Sequence, residues 1–549
     1  MSAAAAVELA KAWRDQDPDD VTRAELDALI RDAEAGLPAP TAELTERFAS
    51  RLEFGTAGLR GPLGAGPNHM NRVLVSQAAG GLAAYLLARS DDASIVIGYD
   101  GRTNSEVFAR DTAVIMAGAG VRTTLLPRHL PTPVLAFAVR ELDASAGVMV
   151  TASHNPGTDN GYKVYLGGFD HGSQIVPPVD AEIAAEIARV AQTSIEQLPR
   201  STDFLIADES VVDAYIARTA ELAHVVAPLN FVYSAMHGVG WETARAVFAA
   251  SGFGEPAVVT AQIEPDAAFP TVAFPNPEEP GAMDLTFARA AETGADVAIV
   301  NDPDADRLAV AIPGPDGWRR LSGNDVGLLL GWRAADRAGG DGTLAASIVS
   351  SPGLAQIALQ YSMDYADTLT GFKWISRVGG LAFGFEEALG YLVDPAKVRD
   401  KDGMSAAVDF LSLVSELKAA GKTVDDHLLA FAARFGAYAS SQVSLRVDHT
   451  DDIGRMMAAL RSTPPSAIGS VAVAAIDDFR DGFDTFGPSD ILRIHLEGGA
   501  RVIVRPSGTE PKLKAYIDAS SLDGSPAERR AAAETMVARL DAGIRELLV

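Results

Sequence analysis

The sequence predicts an α/β protein: three successive α/β units of mixed sheet, followed by a C-terminal α+β unit. Three observations carry that prediction. Apolar runs of strand length alternate with helical patterns as far as about residue 435, joined by short loops, which is the pattern of largely parallel sheets with helices on both faces. From residue 440 the alternation stops and β-rich stretches dominate. The chain's 549 residues, 48% of them apolar, are too many for one core and enough for several.

Residues 1–50 read as polar helices forming an N-terminal cap, with Thr22-Arg23-Ala24-Glu25 offering a capping box ahead of Leu26, Leu29 and Ile30. The first unit, residues 51–205, opens with the run from Phe54 to Gly61, where Gly55 and Gly58 permit tight turns and Arg60 can project into a cleft, although the run taken alone reads equally as a Gly-rich loop with a solvated arginine. Helix 76–88, strand 94–98, strand 122–126, helix 133–142 and strand 146–150 follow. That last strand delivers Thr151-Ala152-Ser153-His154-Asn155-Pro156 to a loop at its carboxyl end, where α/β folds place ligands. The second unit, 206–322, has strand 231–234, a Gly-rich loop at 236–240, a proline-rich crossing at 265–280, helix 284–293 and strand 297–300. The third, 323–438, has helix 324–338, strand 344–349, helix 353–361, a loop at Gly371 and helix 404–420. The fourth, 439–549, has strands at 443–447, 491–496 and 501–504 and helices at 451–461 and 526–548.

Acidic residues number 73 against 46 Lys and Arg, a formal net charge of −27. That balance argues against nucleic acid and anionic membrane as partners, and any phosphorylated substrate must be met by a local basic cluster. With no cysteine there is neither a disulfide framework nor thiolate chemistry, and a cytoplasmic enzyme is the expectation. The amino terminus lacks a basic start and carries Glu8 within its apolar stretch, so it reads as helix and not as a signal peptide. No segment approaches the about 18 uninterrupted apolar residues of a membrane span.

Within the loops lie residues able to do chemistry. Ser153 and His154 are neighbours on an extended segment, so their side chains diverge and they do not by themselves form a hydrolase pair. Asp302, Asp304 and Asp306 alternate directly after an apolar strand, so their carboxylates can converge on one hard cation. The spacing is not that of an EF-hand, which needs Gly and Glu where Arg307 and Pro313 stand, and Mg²⁺ suits three carboxylates better. Arg505-Pro506-Ser507-Gly508-Thr509-Glu510-Pro511-Lys512 offers a guanidinium, two hydroxyls and backbone N–H groups freed by Gly508, the means by which a phosphate is held. The only Gly-Lys-Thr, 421–423, has Glu416 where a P-loop needs its first glycine.

These strings, with Gly371-Phe372-Lys373-Trp374 and Phe385-Glu386-Glu387-Ala388, resemble in the same order the site motifs of the α-D-phosphohexomutases, phosphosugar mutases that work through a phosphoserine. The resemblance implies four domains around a central cleft. It implies that Ser153 carries the phosphoryl group, that Asp302, Asp304 and Asp306 hold Mg²⁺ with an oxygen of phosphorylated Ser153, and that Arg307 stabilises the transferring charge. Lys163 and Arg60 are candidates to move or steer protons, with His154 orienting the loop. Lys373, Glu386 and Ala388 would meet the sugar, and Arg505, Ser507, Gly508 and Thr509 the non-reacting phosphate. Two departures stand out: Ala388 replaces a serine of many members, and Phe372 a histidine of some. Together with Val398-Arg399-Asp400-Lys401-Asp402-Gly403, they look closer to the phosphoglucomutase and phosphopentomutase branch. The expected reaction interconverts glucose 1-phosphate and glucose 6-phosphate through glucose 1,6-bisphosphate, with a pentose or mannose phosphate as the alternative substrate, in a monomer or homodimer. A non-catalytic sugar-phosphate sensor would have no need of Ser153, its metal and Lys163. A phosphatase is disfavoured because the family's cleft excludes water from the phosphoserine.

Overall fold

The strands that the sequence marks as apolar are the ones that the structure buries. The computed structural model describes residues 1–55, 58–447, 450–507 and 512–548. Ser94–Tyr99 is buried at every position and runs parallel to Arg122–Leu125 and Ala146–Val150. Because side chains alternate across a strand, Ile95 and Ile97 join Leu74, Leu82, Phe108 and Ile115 of helices Arg72–Leu87 and Ser105–Ala119 in one core. The opposite face carries Gly98 and Gly147. A Cβ at Gly147 would lie 2.3 Å from Val139, so helix Thr132–Glu141 sits flush on that face. Asp159–Leu166 pairs antiparallel with Ala146–Val150, and Leu59–Pro62 antiparallel with Asp159–Leu166, which brings Arg60 and Lys163 onto neighbouring strands of a mixed sheet.

Three helices, Ala3–Gln16, Asp20–Glu34 and Pro38–Ala49, bury Trp13, Leu26, Ile30 and Leu44 with Val73 and Ile195. The expected capping box at Thr22 does not start the second of these. The helix begins at Asp20, where the Asp19 carboxylate accepts from the Val21 N–H at 2.9 Å, while Thr22 lies inside the helix and donates its hydroxyl to Asp17 at 2.7 Å. Asp is among the best N-cap residues, and here it captures the first turn upstream of the threonine.

The second sheet has five strands in the order Gly317–Arg320, Ala309–Gly314, Val297–Val300, Phe231–Ser234, Ala257–Val258. Val297–Val300 is parallel to Phe231–Ser234 and antiparallel to Ala309–Gly314, so the Asp-rich loop connects two adjacent strands at a reversal of direction.

By packing, the chain divides into two units, Met1–Leu321 with Gly390–Glu416, and Ser322–Leu389 with Leu417–Val549. The segment Gly390–Glu416, which chain order attaches to the third module, is held in the first unit by buried polar pairs. The Tyr165 hydroxyl donates to Asp400 at 2.9 Å, the Tyr215 hydroxyl donates to Asp402 at 2.7 Å, and Lys397 Nζ pairs with Asp402 at 2.8 Å.

In the second unit, Thr343–Ser347 is parallel to both Asp364–Thr368 and Leu381–Glu386, flanked by helices Gly323–Ala338 and Gly353–Tyr361. The C-terminal sheet is antiparallel throughout, in the order Ala437–Arg446, Lys512–Ser521, Arg501–Pro506, Leu492–Leu496, Val471–Asp478, Ala467–Ile468. Helices Thr450–Ser462 and Pro526–Leu548 cover it through Ile453, Met457, Leu540 and Ile544. Among the described residues, no helix is long and apolar enough to cross a membrane.

Candidate active site

Strand Ala146–Val150 is buried at every position and ends at Thr151, whose hydroxyl oxygen accepts the Ser153 N–H at 2.8 Å. This local bond turns the chain sharply, and Ser153 takes a φ of 53°, a left-handed conformation uncommon for a residue with a Cβ. Its hydroxyl, almost wholly buried, lies 3.2 Å from Asp302 Oδ2 and 3.2 Å from His154 Nδ1, so the two neighbouring side chains do not diverge as expected of an extended segment, because the left-handed turn at Ser153 breaks the alternation. Arg60 reaches the same loop, its Nη1 donating to Asn155 Oδ1 at 3.3 Å. Upstream, Gly55 and Gly58 exchange backbone hydrogen bonds of 3.1 and 2.8 Å, and a Cβ on Gly58 would collide with the Tyr162 carbonyl.

The second half of the site is the loop that follows Val297–Val300. The Asn301 Nδ2 donates to the Arg307 carbonyl at 2.6 Å, closing the loop at its base, and the Tyr233 hydroxyl donates to Asn301 Oδ1 at 3.0 Å. Asp302, Asp304 and Asp306 are all fully buried, and one ligand atom from each lies within 4.8 Å of the others. Burying three carboxylates so close is costly unless they are paired. Lys163 Nζ lies 2.7 Å from Asp304 Oδ2 and 3.0 Å from Asp306 Oδ2, while Lys401 Nζ is 3.4 Å from Asp306 Oδ2. Arg307 Nε stands 3.9 Å from Asp302 and 3.8 Å from Asp306, and Thr132 donates its hydroxyl to Asp304 at 2.6 Å. Among the described residues, Asp304 Oδ1 and Asp306 Oδ1 nevertheless accept no hydrogen bond, though both are buried. Two orphaned anionic oxygens beside a third carboxylate and a serine hydroxyl fit a hard divalent cation.

The electrostatics follow from this packing. Burial, with the neighbouring carboxylates of Asp306 and Asp304, holds the Asp302 acid well above its usual range. Burial also pushes Asp304 and Asp306 upward, but Lys163 reverses it for both, helped at Asp306 by Lys401 and Arg307, and both end below the ordinary value. For Lys163, burial disfavours the ammonium and the two carboxylates more than restore it, so the group is held charged. Burial, with Arg307 and Arg60, pushes His154 well below its usual value, leaving a neutral imidazole at pH 7.

Three members of this cluster carried no role in the sequence reading. Lys401 lies in the Val398–Gly403 string noted only for its branch resemblance, and Thr132 opens a helix. Arg102, buried, donates to four backbone carbonyls of the Ser153 loop.

The remaining predicted residues lie in the second unit. Glu386 ends strand Leu381–Glu386 and is partly buried, with Ala388 in the turn that follows. The adjacent Glu387 accepts from the Ser347 hydroxyl at 3.1 Å and the Ser350 hydroxyl at 3.2 Å, which separates the two carboxylates into different environments. Lys373 sits in the short helix Phe372–Ile375, where the sequence suggested a loop, and Phe372 is buried. Arg505 lies on strand Arg501–Pro506 and donates to the Tyr516 hydroxyl at 3.4 Å. The Ser507 N–H donates to the Lys512 carbonyl at 2.8 Å. Gly508 and Thr509 fall outside the described residues.

Comparison with known proteins agrees with this arrangement along the chain. Residues 51–194, 213–314 and 322–435 match the models for phosphoglucomutase/phosphomannomutase alpha/beta/alpha domains I, II and III, and residues 456–534 match the C-terminal domain of the same family. A probable phosphomannomutase of Haemophilus influenzae is 57% identical over 87% of this chain and 98% of its own. The human phosphopentomutase is 35% identical over 88% of this chain and 87% of its own. In fold, a phosphoglucomutase/phosphomannomutase family protein from Burkholderia thailandensis superposes with a TM-score of 0.71 at 19% identity, covering 91% of this chain and 97% of that one. Four domain matches in family order, and relatives aligned over most of both chains, place the protein in the phosphoglucomutase/phosphomannomutase family, the α-D-phosphohexomutases.

Proposed function

We propose that the protein is a phosphosugar mutase in which Ser153 carries a phosphoryl group between two positions of a sugar phosphate. The observation that supports it most directly is the Ser153 hydroxyl, buried and held 3.2 Å from Asp302 in a loop of left-handed conformation. In the first half-reaction the Oγ–P bond of phosphoserine breaks as the free sugar hydroxyl bonds to phosphorus, giving a sugar bisphosphate. In the second, the ester at the other position breaks and Ser153 Oγ is phosphorylated again. Each half moves one proton from the attacking hydroxyl to the leaving oxygen.

Lys163, held charged between Asp304 and Asp306, is suited to give a proton to the leaving Ser153 oxygen in the first half-reaction and, once neutral, to take it back in the second. Arg60 steers the same region through Asn155, and neutral His154 orients Ser153 through Nδ1. Arg307 stabilises negative charge on the transferring group. Asp302, Asp304, Asp306 and a Ser153 phosphate oxygen would hold Mg²⁺, which supplies charge neutralisation to that group. Lys373, Glu386 and Ala388 are assigned to the sugar, and Arg505, Ser507, Gly508 and Thr509 to its distal phosphate.

The expectation from the sequence put a glucose phosphate first. The relatives favour its alternatives: a mannose phosphate by the Haemophilus protein at 57% identity, with a pentose phosphate second. Initial rates on mannose 1-phosphate, ribose 1-phosphate and glucose 1-phosphate, each with a trace of the matching bisphosphate, test the substrate. Intact mass after incubation with bisphosphate tests the chemistry: wild type gains one phosphate and Ser153→Ala none. Phosphate uptake by the variant, or its undiminished turnover, overturns the assignment of Ser153.

A further inference from the structure

Arg102 stands at the carboxyl end of strand Ser94–Tyr99, one strand over from the Ser153 loop. Its guanidinium is buried and spends both terminal nitrogens on that loop alone. Nη2 donates to the carbonyls of Ser153 at 2.6 Å and Asn155 at 2.7 Å. Nη1 donates to those of Pro156 at 2.8 Å and Asp159 at 3.1 Å. The third nitrogen, Nε, faces Asp100 Oδ2 at 3.3 Å. Asp100 is fixed in turn, its Oδ1 accepting from the Arg102 N–H at 3.0 Å and the Ser105 hydroxyl at 2.6 Å. The centre of the buried Phe269 ring lies 5.0 Å from the guanidinium carbon.

We infer that Arg102 is a positioning residue that holds the Ser153 loop in the left-handed turn aiming Oγ at Asp302. The inference rests on the role proposed for Ser153 and adds a residue that touches neither sugar nor metal. Carbonyls withdrawn from water need donors; that of Ser153 is buried and those of Asn155, Pro156 and Asp159 partly so, and the four span residues 153–159, where the chain leaves one strand and enters the next. A planar guanidinium satisfies all four in one rigid fork. A lysine ammonium has three donors at one point and reaches fewer of them. Phosphorylation makes the need for a fixed turn greater, because a phosphate on Ser153 can share a cation with Asp302, Asp304 and Asp306 only while Oγ stays aimed at them. Arg102 holds that aim through the loop's carbonyls.

Arg102→Lys and Arg102→Gly test the inference in the full-length enzyme. Arg102→Lys is expected to lower kcat about a hundredfold while KM for the sugar phosphate stays within about threefold, the signature of a misplaced reacting group. Arg102→Gly removes the side chain, and guanidinium chloride at millimolar concentration should then restore at least about tenfold in rate, whereas ammonium chloride should not. Rescue by the one ion and not the other is a response that general loss of packing does not give. The phosphorylation of Ser153 by sugar bisphosphate, followed by rapid quench and intact mass, separates the two levels of the argument. If wild type takes up no phosphate, the role of Ser153 is wrong. If wild type does, and Arg102→Lys does so at the wild-type rate, the positioning role is wrong. Absence of guanidinium rescue, with KM rising in step with the fall in kcat, overturns it equally.

Discussion

Replacing Asp304 by asparagine isolates the charge of one carboxylate from its shape. Asp304 Oδ2 is occupied by the Thr132 hydroxyl at 2.6 Å and by Lys163 at 2.7 Å, while Oδ1 is buried without a hydrogen-bond partner among the described residues. An asparagine side chain there would keep the size and the contact with Thr132, so the fold should persist. A cation held among the three carboxylates, however, loses one unit of attraction. At a separation of about 4 Å and an effective dielectric of about 20, a divalent cation and one carboxylate attract by about 8 kcal/mol; the amide oxygen and water offset part of this, and a loss of at least about a thousandfold in affinity is expected. Lys163 compounds the loss, since with one of its two carboxylates neutralised its charge is less compensated beside the metal. Calorimetric titration of Mg²⁺ or Mn²⁺ into chelator-treated protein measures the change directly. Thermal melting gives an independent reading, because a ligand bound only to the folded state stabilises it by RT times the logarithm of one plus its concentration over Kd, so at a fixed Mg²⁺ concentration the weaker site gives the smaller shift. Equal metal affinity in the two proteins, or an equal melting shift with saturating Mg²⁺, would refute the assignment of Oδ1 to a cation.

Four further outcomes are expected. Ser153→Ala should lose turnover by several orders of magnitude with an unchanged melting temperature, since a loop hydroxyl contributes little packing; activity assays and melting curves decide. Lys397→Met leaves Asp402 buried beside the Tyr215 and Ser405 hydroxyls without its cation, and should destabilise the first unit by about 3–5 kcal/mol, read as an early transition in denaturant unfolding. Burial raises Asp477, but hydrogen bonds from His495 and Arg493 prevail and hold it below its ordinary value, so its stabilisation is present above about pH 4 and lost as pH falls through the lowered folded value. Melting profiles should therefore show Asp477→Asn less stable than wild type at neutral pH and the difference closing in acid. Ala388→Ser should change the ratio of rates on glucose and mannose phosphates more than it changes the glucose rate, and an unchanged ratio would remove Ala388 from sugar recognition.

The aspartate loop was legible because its three carboxylates alternate straight after an apolar strand, and the Ser153 turn because a buried run ends in polar residues. Arg102 was not legible. Its acceptors are backbone carbonyls, which have no side-chain code, so Asp100-Gly101-Arg102 reads as an ordinary polar turn. The polar string from Lys397 to Asp402 carries no local sign of its burial. Its partners, Tyr165 and Tyr215, lie 235 and 187 residues from Asp400 and Asp402 along the chain, a separation that local pattern reading does not span. Strand Lys512–Ser521 does alternate, with Leu513, Ala515, Ile517 and Ala519 inward, but the phosphate-loop motif that overlaps its start drew the reading away from it. The small, half-buried residues of Val471–Asp478 give a weak strand signal, and the structure supplies that strand through pairing with Leu492–Leu496.

The attachment of Gly390–Glu416 to the first unit has a consequence for the order in which the protein is made. When a ribosome has released Leu321, both sheets of that unit exist as sequence, yet Asp306 still lacks Lys401, Tyr165 lacks Asp400 and Tyr215 lacks Asp402. Roughly a hundred more residues, most of them belonging to the other unit, must emerge first, which at about 5–20 residues per second takes some 5–20 s. During that interval the nascent first unit holds hydroxyls and carboxylates in its interior without their final partners. Its completion waits for a segment delivered from downstream, and a chain released early, before Glu416, would be left with an unfinished interior.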